Sequence, residues 1–147
     1  MTVSRNALCV LYGVAAVLAL FGTWGHNAEY LSHGYLGANL QFWTDTLANP
    51  ASRSITVDLL FLVIVVALWM VLEARRLNMR WVWAYLLAGM LIAISVSVPV
   101  FMIHRQRTLA RRTPNTPAGQ LRGVDVFGLA AVGVLTIAYT VLSFARD

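Results

Sequence analysis

Lysine is absent from this chain, and all eleven of its basic side chains are arginine. Acid is scarce as well: six carboxylates serve 147 residues, and charged residues make up only 12%. Soluble domains carry roughly a quarter. A water-soluble protein of this length would lack the polar surface to cover its apolar residues, which are 59% of the total. Cysteine occurs once, at Cys9, so an internal disulfide and a Cys-based metal or redox pair are both excluded. Within an apolar helix such a thiol behaves as a small hydrophobe. Nucleophile-elbow, P-loop, dinucleotide and HExxH motifs are all missing. No basic-aromatic module accompanies the arginines, so nucleic acid is not an expected partner.

What the chain does have is length in its apolar runs. Mean hydropathy is +0.70. Four stretches of about 20 residues match the ~30 Å hydrocarbon core of a bilayer. Helices satisfy their own backbone hydrogen bonds, which lipid cannot do for them. The fold class expected is therefore all-α: a polytopic membrane protein forming one integral domain over residues 1–147. Spans are expected at about 7–24, 54–74, 81–103 and 124–145, with an interfacial amphipathic helix at about 35–47. The expected location is the bacterial inner (cell) membrane, crossed several times, with the bilayer itself as a partner.

The first run, Ala7 to Trp24, follows Arg5 and shares the outline of a signal peptide. It lacks a small-x-small cleavage site and is long enough to span, which favours a retained helix. Ala15, Ala19 and Thr23 repeat every fourth residue and offer a small-residue stripe for close helix packing; chance in an alanine-rich helix gives the same pattern. Gly34 and Gly37 mark turns. After them, Leu36, Leu40, Phe42, Trp43 and Leu47 alternate with Asn39, Gln41, Thr44 and Asp45. That pattern is too short and too polar to cross, and it suits a helix lying at headgroup depth.

The second run is the centre of the chain. Ser54 is the expected N-cap, and Asp58 lies about one turn inside, where a carboxylate meets the helix dipole favourably. Asp58, Leu62, Val65 and Trp69 share a face, with Glu73 one turn beyond. At ~1.5 Å per residue the two carboxylates stand roughly 22 Å apart and share neither proton nor metal. Glu73 has Arg76 at i+3 and Arg80 at i+7, the spacing of a juxtamembrane ion pair.

Leu77-Asn78-Met79 reads as a short turn into the third run. Trp81, Trp83 and Tyr85 gather at its start, as aromatics do at the membrane boundary. Gly89, Ala93 and Ser97 form a second small-residue stripe, and Pro99 is expected to kink the last turns. Residues 104–123 read as a basic loop with Arg105, Arg107, Arg111, Arg112 and Arg122. Thr113-Pro114 and Thr116-Pro117 favour extended backbone there. The fourth run begins with Asp125 in its first turn and ends before Arg146, both matched to the dipole.

Four spans place both chain ends on one side of the membrane. The arginines then divide five against six: Arg5, Arg75, Arg76, Arg80 and Arg146 on the side of the termini, the rest opposite. That division sets no orientation. Arg5 before the first helix, with Glu29 and Asp45 after it, favours cytoplasmic termini.

The stretch from Glu29 to Arg107 resembles a family of small bacterial membrane proteins known only as a domain of unknown function. The resemblance is carried by Ser32-His33-Gly34, Phe42, Ala48-Asn49, Asp58, Glu73-Ala74-Arg75-Arg76, Met79-Arg80, Pro99-Val100-Phe101 and Arg105. It implies a three-helix protein with a cytoplasmic N-terminus, and it implies no activity. The fourth run and the Thr-Pro loop lie outside it.

Few residues invite chemistry. Asp58 is an ionisable group within a span, which is a functional hypothesis by default; its closeness to the membrane end favours a dipole-stabilised carboxylate hydrogen-bonded to the Asn49–Ser54 turn or to Arg53. Asp58, Trp69, Glu73, Arg111 and Arg112 are the candidate ligand or lipid contacts, and Asp58 is the candidate acid. His26, Glu29 and His33, at i, i+3 and i+7, face one way on a helix and suit zinc or iron, although Gly25 and Gly34 bracket them. His26 and His104 are weaker candidates as haem ligands. Trp24, Trp43, Trp69, Trp81, Trp83 and Tyr85 could wall a site for a cationic intermediate, or anchor the chain at the interface. The sequence leaves the cofactor unknown. The expected role is non-enzymatic: an accessory or structural subunit packing against other membrane subunits or its own copies, or a binder of a lipophilic molecule. The alternative is a small membrane-embedded enzyme, an isomerase or cyclase, acting on a lipid or isoprenoid through Asp58.

Overall fold

The computed structural model describes residues 2–112 and 118–145. The chain is all-helical apart from one two-residue ladder. Helix α1 spans Arg5–Asn27 and continues as a 3-10 helix over Ala28–His33. Then come α2 (Gly34–Asp45), α3 (Pro50–Arg76), α4 (Val82–Leu91), α5 (Ile94–Arg112) and α6 (Gly123–Phe144). Strands β1 (Thr2–Val3) and β2 (Gly119–Gln120) pair antiparallel and tie the chain's start to the approach of α6. Three helical stretches are long and apolar enough to cross a membrane: Arg5–His33, Pro50–Arg76 and Gly123–Leu142.

Helix α3 starts earlier than Ser54. Asn49 is the N-cap: its side chain accepts from the Ser52 N–H at 3.0 Å, and the Ser52 hydroxyl answers the Asn49 N–H. Pro50 at the first helical position fits, since its missing N–H has no partner to lose there. At the other end Asn78 adopts φ 54°. The Met79 N–H donates to the Ala74 carbonyl at 2.8 Å and the Asn78 N–H to that of Arg75 at 3.2 Å. This is a Schellman stop, which requires a left-handed residue where Asn78 stands. The expected turn at Leu77-Asn78-Met79 is thus a helix cap with defined chemistry.

The largest departure concerns residues 81–103. They do not form one kinked span. The chain turns at Ile92 and Ala93, before Pro99, and α4 folds back along α5. Tyr85 shows the result. Its ring meets Phe101 edge-on at 5.7 Å, its hydroxyl is hydrogen-bonded to His104 Nδ1 at 3.0 Å, and its carbonyl accepts from the Ser97 hydroxyl. In a continuous helix those partners would lie ~18 to 28 Å away. Gly89 serves this fold-back: a Cβ there would lie 2.8 Å from Ile94 Cδ1 and 3.4 Å from Ser97 Cβ. The small residues Gly89 and Ser97 are therefore used within the chain, across the elbow. Pro99 sits inside α5, which runs through it. The expected basic loop is helical as far as Arg112; residues 113–117, with both Thr-Pro pairs, lie outside the described residues, as does Arg146.

Helix α1 packs along α5 in the opposite direction, with Arg5 near Gln106 and Trp24 near Ile92. Its buried side chain is Ala16; of the expected stripe, Ala19 and Thr23 are half-buried and Ala15 is exposed. Helix α6 runs alongside α1, with Phe144 stacked on His26 at 4.3 Å. The Asp125 carboxylate accepts from the Arg122 N–H at 2.8 Å and closes the first turn of α6. Helix α2 lies over the 3-10 segment, where Tyr30 and Gln41 both donate to Asp45 at 2.8 Å. Gly34 opens α2 with φ 70° and ψ 166°, a backbone reserved for glycine. Gly37 lies within α2 and marks no turn.

Burial is concentrated where α3, α4 and α5 meet. Met70, Ala74, Leu77, Met79, Val82 and Phe101 form one core cluster. It lies at the C-terminal end of α3. Most of α3 has no such cover: only 6% of its membrane-length window is buried.

Candidate functional site

The polar counterpart of that core is the Glu73 carboxylate. Arg76 Nε and Nη2 donate to its two oxygens at 2.6 Å each, and Arg105 Nε donates to Oε1, also at 2.6 Å. Glu73 is 8% exposed. The Arg76 bond is local, at i+3, and follows from helix geometry. The Arg105 bond is tertiary and pins α3 to α5. Arg80, expected as the second partner, is exposed instead. Arg105 also lies 6.0 Å from the centre of the Trp69 ring, and Trp69 meets Phe101 edge-on at 5.7 Å. Cation and rings therefore continue one another from α3 to α5 to α4.

Glu73 is saturated. Three charge-assisted donors hold it in one geometry, which suits a lock between helices. Arg112 extends the lock. It donates to the Leu77 carbonyl at 2.8 Å and approaches that of Arg76 at 3.5 Å, covering carbonyls at the end of α3. Arg111 is exposed beside it at the end of α5. Gln106, buried, accepts from Arg5 at 3.4 Å and joins α1 to the same level.

Asp58 stands apart. It is exposed on α3, and no hydrogen bond or ion pair connects it to another described residue. The Asn49–Ser54 turn is closed by its own capping box, and Arg53 donates to the Leu47 carbonyl at 3.1 Å. Neither holds the Asp58 carboxylate. Trp69 is on the same helix ~16 Å further along, so the two do not form one pocket.

The histidine set is dispersed. His26 stacks on Phe144, and His33 is hydrogen-bonded to the Ser32 hydroxyl at 3.2 Å. His104 is engaged by Tyr85. Among the described residues, no group of three His, Cys, Asp or Glu side chains is placed to hold a metal ion. Glu29 shares the 3-10 segment with His33 but gains no second ligand there.

Sequence reasoning missed the contacts across the fold-back: Glu73 with Arg105, Tyr85 with His104, and Ser97 with the Tyr85 carbonyl. Each joins residues 12 to 32 positions apart. Helical spacing reveals only neighbours at three or four positions. The available signal was indirect: Glu73, Phe101 and Arg105 all belong to the residues carrying the family resemblance, and the structure brings them together.

A second feature is electrostatic. Because α4 folds back, Arg5, Arg75, Arg76, Arg80, Arg105, Arg107, Arg111, Arg112 and Arg122 collect at one end of the helices. Among the described residues, Arg53 alone stands at the other end, with Glu29, Asp45 and Asp58. The five-against-six division expected from four spans does not survive.

The model of one protein family, described as protein of unknown function DUF2834, matches residues 11–107. That match takes in the core cluster, Asp58 and the Glu73 lock, and leaves out α6. No curated protein and no solved structure matches the chain.

Proposed function

Since the chain belongs to the family described as protein of unknown function DUF2834, we propose from its geometry that it is a non-enzymatic accessory subunit of a bacterial cell-membrane complex. Helices α1, α3 and α6 cross the bilayer, and α2 lies at the outer headgroups with Leu36 and Leu40 turned to lipid. The arginine end faces the cytoplasm, following the bias of Lys and Arg to that side. With three crossings the C-terminus lies outside, opposite the N-terminus.

The α4–α5 pair is then a re-entrant hairpin. Helix α4 has 10 residues, which gives ~15 Å, half of a ~30 Å core. Non-helical backbone at such depth is tolerated only where protein satisfies it. The Trp24 indole N–H donates to the Ile92 carbonyl at 3.1 Å, which supports this reading of the elbow.

One observation carries the assignment as a subunit: Asp58 is exposed and unpaired among the described residues, on a helix that its own chain scarcely covers. A charged carboxylate facing lipid is costly, by about 3 kcal/mol near mid-membrane and less toward the ends. A donor on a partner helix, from another subunit or a second copy, removes that cost and occupies the bare face of α3.

Extraction in a mild detergent tests this. The chain is expected to co-purify with a second membrane protein or as an oligomer, and Asp58→Leu is expected to release the partner. A monomer under all mild conditions, unchanged by Asp58→Leu, overturns the proposal. The enzyme alternative, with Asp58 as the acid of an isoprenoid isomerase or cyclase, predicts that Asp58→Asn abolishes product while the complex remains assembled.

A further inference from the structure

Between α4 and α5, on the side away from the core cluster, runs a groove of about 390 Å³. Trp81, Ala84 and Ala88 form one wall, and Ala93, Val96 and Val100 the other. The hydroxyls nearest it are engaged elsewhere: Ser97 donates to the Tyr85 carbonyl, and the Tyr85 hydroxyl is hydrogen-bonded to His104. The walls therefore offer hydrocarbon and no ready polar contact, so an apolar, unbranched occupant fits. The groove follows α4, ~15 Å long, which is the hydrocarbon depth of one leaflet.

The mouth is different. Arg80 directly precedes Trp81, at the end of the groove furthest from the elbow. Arg107 lies seven residues beyond Val100, so it returns to the same face of α5 two turns on. Both side chains are exposed, and neither has an ion pair or hydrogen bond with a described residue. Of the acids at this end, Glu73 is consumed by Arg76 and Arg105, and Asp125 accepts from the Arg122 N–H. Two uncompensated cations thus stand at headgroup level above a slot one acyl chain deep.

We propose that the α4–α5 groove holds one acyl chain of an anionic phospholipid whose phosphate is bound by Arg80 and Arg107. The occupant is a lipid of the leaflet on the arginine side. An anionic headgroup gains from each arginine near it, and the chain gains by filling a groove that the fold leaves open. The inference rests on the membrane placement proposed above, which site-directed labelling tests separately; it does not depend on a partner for Asp58.

Native mass spectrometry of the full chain, titrated with phosphatidylglycerol or with phosphatidylcholine of the same acyl length, tests the site. Phosphatidylglycerol is expected to bind one-to-one, with at least roughly tenfold preference. The double variant Arg80→Gln, Arg107→Gln is expected to bring it down to the phosphatidylcholine level, while Arg53→Gln leaves it unchanged. Ala88→Trp, which fills the groove, is expected to remove the one-to-one adduct of both lipids. Equal binding of the two lipids by the parent chain overturns the proposal, as does a preference that survives the double variant. Displacement by soluble glycerol phosphate assigns the arginines to free phosphate and also overturns it. Should Ala88→Trp fail to elute as a folded species, the double variant decides, since its two side chains are exposed and make no hydrogen bond or ion pair with a described residue.

Discussion

The Trp24 indole donates to the carbonyl of Ile92 across 68 positions of sequence, and that carbonyl lies at the elbow between α4 and α5. Helix ends leave carbonyls without partners. Ile92 is the C-cap of α4, and its own N–H turns back to Ala88 at 2.8 Å. Trp24→Phe keeps the ring and removes the donor. It is expected to cost about 1 kcal/mol, read as a lower midpoint of unfolding in a denaturing-detergent titration. An unchanged midpoint would show that the elbow is held by packing alone.

Arg105 and Arg80 make a discriminating pair. Arg105→Met removes one of the three donors on the buried Glu73 and the link from α3 to α5, and is expected to cost about 2 kcal/mol. Arg80→Gln, at the partner suggested by helical spacing, should stay within about 0.5 kcal/mol. Thermal unfolding in one detergent compares them directly. Equal losses would mean that Glu73 is shared with Arg80.

Asn78 is set at φ 54°, a conformation that costs a β-branched residue most. Asn78→Val is expected to destabilise by about 1 to 2 kcal/mol, and Asn78→Gly to be neutral or slightly stabilising. If the valine variant unfolds at the same midpoint as the parent, the Schellman stop does not fix the end of α3.

Orientation is tested with Cys9 replaced by alanine and single cysteines introduced elsewhere. A membrane-impermeant maleimide applied to intact cells should label Leu47→Cys, at the foot of α2, and leave Arg80→Cys unlabelled until the cells are broken. The reverse pattern would place the arginine end outside.

Much of this architecture is legible in the sequence. Length and hydropathy reveal α1, α3 and α6, and the mixed pattern after Gly34 reveals α2. The fold-back is hidden because Ile92 and Ala93 are themselves apolar. An uninterrupted run from Trp81 to Ile103 carries no glycine or proline at the turn, so its composition is that of a single span. Pro99 draws attention to the wrong place. Asn49 was visible as a cap through Pro50 and Ser52, and Ser54 competes with it only by residue type. Glu73 was readable as an ion pair, but its second partner follows from tertiary direction, which spacing along one helix cannot contain. Asp58 stands out in the sequence by its chemistry, whereas its lack of a hydrogen-bonding neighbour among the described residues is a property of packing alone.

The hairpin of α4 and α5 also bears on how the chain is made. In the placement proposed above, the arginines between Arg75 and Arg122 all stay on one face of the bilayer, so none of those guanidinium groups has to be dragged across during insertion. A translocon would then hand over two ordinary crossings and let the hairpin settle from the ribosome side against α1 and α3 before α6 follows.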